Sequence, residues 1–218
     1  MKHIYRTTLL CILTITSSVW SANPQETDIL RLLNQEEQNL IQSGELVVNK
    51  VETDSPEGRS SEVFGLMGAP ALKVVELLMD FESVPDYLSA VSQVEIIDRH
   101  ENGGTISYIL ESMLGLSKKY RIRMSQTRLD NTHWRVEWYL VPWPELKQIE
   151  TIKDTRGFWL IQEQSPQSSL VHYHVYSDPG PIPFGLGMVV DALSKSNVIQ
   201  AFEETRDQAE ALATPGQP

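Results

Sequence analysis

The spacing of hydrophobic and polar positions changes several times along the chain, and each change marks an element. From Pro24 to Ser43 the apolar residues Ile29, Leu30, Leu32, Leu33, Leu40 and Ile41 recur at helical spacing. Thr27 and Asp28 stand at one end of that stretch and Gly44 at the other, which predicts a short amphipathic helix. Two strand-like runs follow, Glu45 to Thr53 and Arg59 to Met67, joined by the turn cluster Asp54-Ser55-Pro56-Glu57-Gly58, and are expected to pair as a hairpin. Pro70 opens a helix running to about Asp80, with Val74, Val75, Leu77 and Leu78 on its apolar side. A second short helix is expected from Phe81 to Leu88, with Pro85 marking the kink between the two.

The period then becomes two. Val94 and Ile96, then Ile106, Tyr108 and Leu110, then Tyr120, Ile122 and Met124, then Trp134, Val136, Trp138 and Leu140 point to one side of successive strands. Turns are expected at Glu101-Asn102-Gly103-Gly104 and at Asp130-Asn131. Two more strands, Gly157 to Gln164 and Leu170 to Ser177, lead to Asp178-Pro179-Gly180-Pro181-Ile182-Pro183. One helix is expected after this block, from about Phe184 to about Ala211. Leu186, Val189, Val190, Leu193, Ala201 and Phe202 lie on its apolar side, while Lys195, Glu203, Glu204, Arg206, Asp207 and Glu210 crowd the other. Such a helix spans roughly 40 Å and needs a broad sheet to cover it. The order therefore predicts an antiparallel α+β domain in which a sheet curls around one long helix and encloses a cavity.

The first 21 residues read as a secretory signal peptide: Lys2, His3 and Arg6 make a basic start, Leu9 to Val19 is mostly apolar, and cleavage is expected after Ser21. The apolar stretch is too short to span a bilayer. The sole cysteine, Cys11, lies inside this peptide, so the mature chain is expected to have no thiol, disulfide or lipid anchor. No Asn-X-Ser/Thr sequon occurs, which together with the missing disulfides favours a periplasmic or secreted bacterial protein. The resulting division is residues 1–21 as signal peptide, 22–43 as a helical lead-in, 44–211 as one domain and 212–218 as a disordered tail. The formal net charge is −11, and losing Lys2 and Arg6 makes it more negative, so nucleic acid is not expected as a partner.

Several stretches resemble the START-like, polyketide cyclase superfamily (SRPBCC), nearest to the coenzyme-Q-binding START proteins. They are Gly65 to Pro70, Val74 to Leu88, Val94 to Ile97, Gly157 to Leu160, Val171 to Val175 and Asp178-Pro179-Gly180, in family order and spacing. The resemblance covers about Glu45 to Ala211, and departs from the family at Pro181, where a second glycine is common. It implies a helix-grip fold, with a curved antiparallel sheet around the C-terminal helix and an apolar tunnel for a lipid, isoprenoid, sterol, quinone or polyketide.

On that reading Tyr108, Tyr120, Met124, Trp134, Trp138, Trp159, Phe184 and Met188 are expected to line the tunnel, although composition alone makes them ordinary core. Met113, Leu114 and Leu116, and Trp143 within Val141-Pro142-Trp143-Pro144, put apolar residues in loops. They are expected either at a cavity mouth in transient contact with membrane or folded back on the sheet. Lys119, Arg121 and Arg123 share one strand face, where pairing with carboxylates such as Glu111 or Glu137 is expected over binding of anionic headgroups. His172 and His174 also share a face, but no carboxylate stands at a telling distance in sequence, and no metal is expected there. Gly185-X-Gly187 lacks the strand that a dinucleotide loop needs before it.

No nucleophile, zinc or phosphate-loop motif is present, and no cofactor is expected. The expected function is binding or transfer of a hydrophobic small molecule or lipid. The alternatives are a cyclase or hydratase using Tyr108, Tyr173, Asp154 or Arg156, and an envelope structural or assembly protein without a ligand. An apolar wall favours carriage, an inward acid or base beside a tyrosine favours chemistry, and a filled core favours the third.

Overall fold

Alternation of apolar and polar residues specifies strands with one face turned to a core, and eight such strands pair in register. The computed structural model describes residues 28–110, 118–180 and 187–214, with the side chains of 187–195 outside the description. Strands β1 (Val47–Val51), β2 (Arg59–Met67), β3 (Val91–His100), β4 (Gly103–Leu110), β5 (Lys118–Arg128), β6 (His133–Val141), β7 (Asp154–Ser165) and β8 (Ser168–Asp178) form one antiparallel sheet. Their order is β1-β2-β8-β7-β6-β5-β4-β3, so β3 to β8 make a continuous meander and only the β2–β8 seam joins distant parts of the chain.

Register confirms the expected inner face. Val94, Tyr108 and Tyr120 stand opposite one another across three strands, as do Ile96, Ile106, Ile122 and Leu140 across four. Met124, Trp138, Gly157 and Val175 form a further row, and Val136, Trp159, Tyr173 and Val63 the next. Helix α4 (Gly187–Ala213) lies against this face, with Phe202 and Ala209 fully buried, and Phe202 packs 5.8 Å from the Trp159 ring.

The opposite face is covered in part by the N-terminal segment. Where one helix was expected from Pro24 to Ser43, a 3-10 turn (Ile29–Leu32) and helix α1 (Gln35–Gln42) occur instead, within the described residues. Asn34 separates them because its side chain accepts from the Glu37 N–H at 3.0 Å while Glu37 accepts from the Asn34 N–H at 2.8 Å, a reciprocal cap that starts a new helix. Ile29, Leu33 and Ile41 pack there with Val47, Phe64, Leu160 and Leu170.

Helix α2 (Ala71–Met79) buries Val74, Val75, Leu77 and Leu78, as expected. The break that follows is at Asp80 rather than at Pro85. Pro85 lies in the first turn of α3 (Val84–Tyr87), where a missing N–H does not interrupt the helix. Gly103 and Gly104 belong to β4, leaving Glu101 and Asn102 as the turn.

After β8 the chain is fixed by Asp178, which is buried. Its carboxylate accepts from the Gly180 N–H at 2.9 Å and the Ser55 hydroxyl at 2.9 Å, and meets Lys153 Nζ at 3.1 Å. Burial alone raises the pKa of this group, but these three partners hold it below the ordinary carboxylate value. Gly180 supplies the positive φ of 81° that the turn requires.

Candidate functional site

Between the inner face of the sheet and α4 lies a cavity of about 140 Å³. Its floor is the sheet, through Tyr108, Tyr120, Ile122, Met124, Trp138, Thr155, Trp159, Tyr173 and Val175. Ala201 and Thr205 of α4 form one wall, and Leu78, Val84, Tyr87, Leu88 and Val91 from α2, α3 and the start of β3 form the other. Small residues on α4 leave the space open, since Ala201 and Thr205 are one turn apart on the side that faces the sheet.

Aromatic rings organise the floor. Tyr173 stacks on Trp159 with centroids 3.9 Å apart, Trp138 lies 5.9 Å from Tyr173, and Tyr108 and Tyr120 are 5.6 Å apart. Gly157 makes this possible, because a Cβ at that position would fall 2.4 Å from the Trp138 ring. The indole therefore lies over Gly157, its N–H reaching Thr155 Oγ1 at 3.5 Å.

Burial raises the pKa of Tyr87, Tyr108, Tyr120 and Tyr173 above the ordinary phenol value, so all four stay neutral through the physiological range. No Asp, Glu, His, Lys or Arg is among the described lining residues. Asp154 and Arg156, the polar candidates for catalysis, pair with each other outside the cavity, where Arg156 also lies 4.1 Å over the Tyr176 ring.

Of the expected tunnel residues, Tyr108, Tyr120, Met124, Trp138 and Trp159 meet in this cavity. Trp134 is buried in the same core without lining it, and its ring carries the Arg128 guanidinium at 5.4 Å. Phe184 and the Met188 side chain lie outside the described residues, as do Met113, Leu114 and Leu116. Trp143 is half-buried, with Arg121 4.4 Å over its ring. Tyr87, Thr155, Tyr173, Ala201 and Thr205 are among the lining residues that were not expected. Tyr173 was legible from its alternation with Val171 and Val175, and the Ala201 and Thr205 spacing was the available signal on α4.

Two outer-face expectations are modified. Arg121 donates to Ser107 Oγ at 3.2 Å and Glu137 pairs with Arg135 at 2.9 Å rather than with the basic stripe, while Glu111, the other expected partner, lies outside the described residues. His172 and His174 do have a carboxylate neighbour: Glu62 Oε1 lies 3.2 Å from His172 Nε2 and 3.4 Å from His174 Nδ1. Glu62 comes from β2, whose register sets it opposite His174. Among the described residues no group of three or more His, Cys, Asp or Glu has the arrangement of a metal site.

No protein-family model matches the chain, and no curated protein sequence does. Solved structures do. A STAR-related lipid transfer protein from Xanthomonas axonopodis aligns at TM-score 0.66 and 14% identity, over 75% of this chain and 93% of that one. Human StAR-related lipid transfer protein 5 aligns at TM-score 0.67 and 12% identity, over 78% and 84% respectively. The Zhui aromatase/cyclase from Streptomyces aligns at TM-score 0.57 and 14% identity, over 70% and 94%. At these identities the likeness is one of fold, and an eight-stranded antiparallel sheet closed on a long C-terminal helix gives this chain the START-like helix-grip α+β fold.

Proposed function

We propose that the mature chain is a periplasmic carrier that binds a hydrophobic small molecule between the sheet and α4. The observation that supports this most is the cavity itself, which is walled by apolar and aromatic side chains with no described acid or base. Likeness in fold to StAR-related lipid transfer proteins supports the same reading, and likeness to an aromatase/cyclase keeps the catalytic alternative in view. Catalysis of that kind needs a group that takes or gives a proton near neutrality. The buried phenols, held above their ordinary pKa, do not meet that need.

Ligand pockets commonly measure roughly 300–1,000 Å³. The present cavity of about 140 Å³ is smaller, so it takes a ring-sized part of a ligand as it stands, and a larger ligand requires the helices to move away from the sheet. The export signal read in residues 1–21 supports the location. Contact with membrane during loading is part of the proposal, with Trp143 and its neighbours in the β6–β7 loop as the surface involved.

The test is titration of the mature protein with a fluorescent fatty acid. One saturable site per chain, lost when the cavity is filled by Ala201→Trp, is the expected result. Non-saturable binding that tracks exposed surface would remove the carrier reading in favour of the structural one.

A further inference from the structure

The cavity wall is mostly apolar, yet four tyrosines share it. Tyr87, Tyr108, Tyr120 and Tyr173 all line the space, and none of their hydroxyls has a hydrogen-bond partner among the described residues. Tyr108 and Tyr173 are each only 8% exposed. The other polar groups on the wall are matched: Thr205 donates to the Ala201 carbonyl at 2.7 Å and Thr155 to the Tyr176 carbonyl at 3.0 Å. Native interiors seldom leave a buried polar group unpaired, so the hydroxyls of the buried Tyr108 and Tyr173, with half-buried Tyr87 and Tyr120 beside them, call for an explanation.

These oxygens are not sealed in. None of the four phenol oxygens is among the fully enclosed atoms without a hydrogen-bond partner in the described residues, so each keeps some accessible surface. They also lie within electrostatic reach of one another, because Tyr120, Tyr87 and Tyr173 add to the effect of burial in raising the pKa of Tyr108. The result is a cluster of neutral donors with no counter-charge. An anionic head entering it would lose its hydration without gaining a cation. An alkyl chain, as of the fatty-acid probe with its head outside, can still fill the space but leaves every hydroxyl unpaired. A dry cavity of roughly 150 Å³ accepts benzene, so the available volume suits a single ring.

Resting on the carrier reading above, we propose that the end of the ligand that enters this cavity is an uncharged, ring-sized group bearing one or more carbonyl-type acceptor oxygens. The hydroxyls of Tyr108, Tyr120 and Tyr173 select it over a hydrocarbon of the same shape. Specificity then resides in the phenol oxygens, and affinity in the surrounding rings.

Acetophenone and ethylbenzene provide the test, since they differ by a carbonyl in place of a methylene. Both are titrated calorimetrically into the mature protein and into Tyr108→Phe, Tyr120→Phe and Tyr173→Phe. At least one variant is expected to lose acetophenone affinity several-fold, on the order of ten, while ethylbenzene affinity holds or rises. Removing an unpaired hydroxyl keeps the rings in place, so the variants are expected to fold, and thermal unfolding checks this. If both compounds bind and respond alike to every substitution, the hydroxyls do not select the ligand, although the cavity still binds one. If the fluorescent fatty acid binds but neither ring compound does, the ring proposal is wrong and the carrier reading stands. Failure of all three probes overturns both.

Discussion

Glu62 is held between two imidazoles, and its carboxyl is pulled from 4.5 to about 2, first by contact with His172 and then with His174. A carboxylate whose pKa falls on folding stabilises the native state above its unfolded value and loses that contribution as the pH drops through the folded one. Glu62→Gln is therefore expected to cost about 1–2 kcal/mol at neutral pH. The gap should narrow between 4.5 and about 2. Urea unfolding of both proteins at neutral pH and at about pH 3 measures it, and a gap independent of pH would assign the loss to packing instead. The histidine pair was visible in the sequence from its spacing of two, but its partner was not. Glu62 is more than a hundred positions away, and only the β2–β8 register brings it to His174. The arginines show the same limit: Arg135 lies 3.9 Å over Phe158 and Arg121 4.4 Å over Trp143, contacts that a count of charges does not reveal.

At the scale of elements, α4 is tied to the rest of the fold by polar side chains, two of which, Glu204 and Glu210, its sequence places on a solvent face. Glu204 accepts from the Ser89 N–H at 3.1 Å, Gln200 donates to Ser89 Oγ at 2.8 Å, and Glu210 accepts from the Gly68 N–H at 2.7 Å. Ser89 follows Leu88, a lining residue, so the first two contacts latch α4 to one rim of the cavity. Glu204→Ala is expected to speed hydrogen exchange at the Ser89 amide by roughly tenfold and to accelerate probe release, at a stability cost of about 1 kcal/mol. An unchanged release rate would mean that the ligand leaves by another route. Strands were readable because each turns alternate residues to a single core, and α4 because of its length. The break at Asp80 was not, since a proline signals a helix boundary without saying on which side the helix lies.

At the scale of the molecule, the sheet has two edges, β1 and β3. Strand β1 is five residues long, and β3 carries two register shifts together with Glu95, Asp98, Arg99 and His100, features that discourage pairing with another chain. With a formal net charge of −11, the protein is expected to remain dispersed at neutral pH. Export is tested by the intact mass of protein recovered from a Gram-negative host: loss of residues 1–21 is expected, and retention of Met1 to Trp20 would remove the proposed location. The seam between β2 and β8 has a further consequence. A chain delivered amino end first releases β1 and β2 long before β8, and a two-stranded hairpin is marginal in water by itself. The early hairpin must wait for the last strand, so the sheet stays open until synthesis is nearly finished. For the export proposed from residues 1–21, through a channel that admits unfolded chain, such an order would leave the polypeptide threadable until β8 emerges.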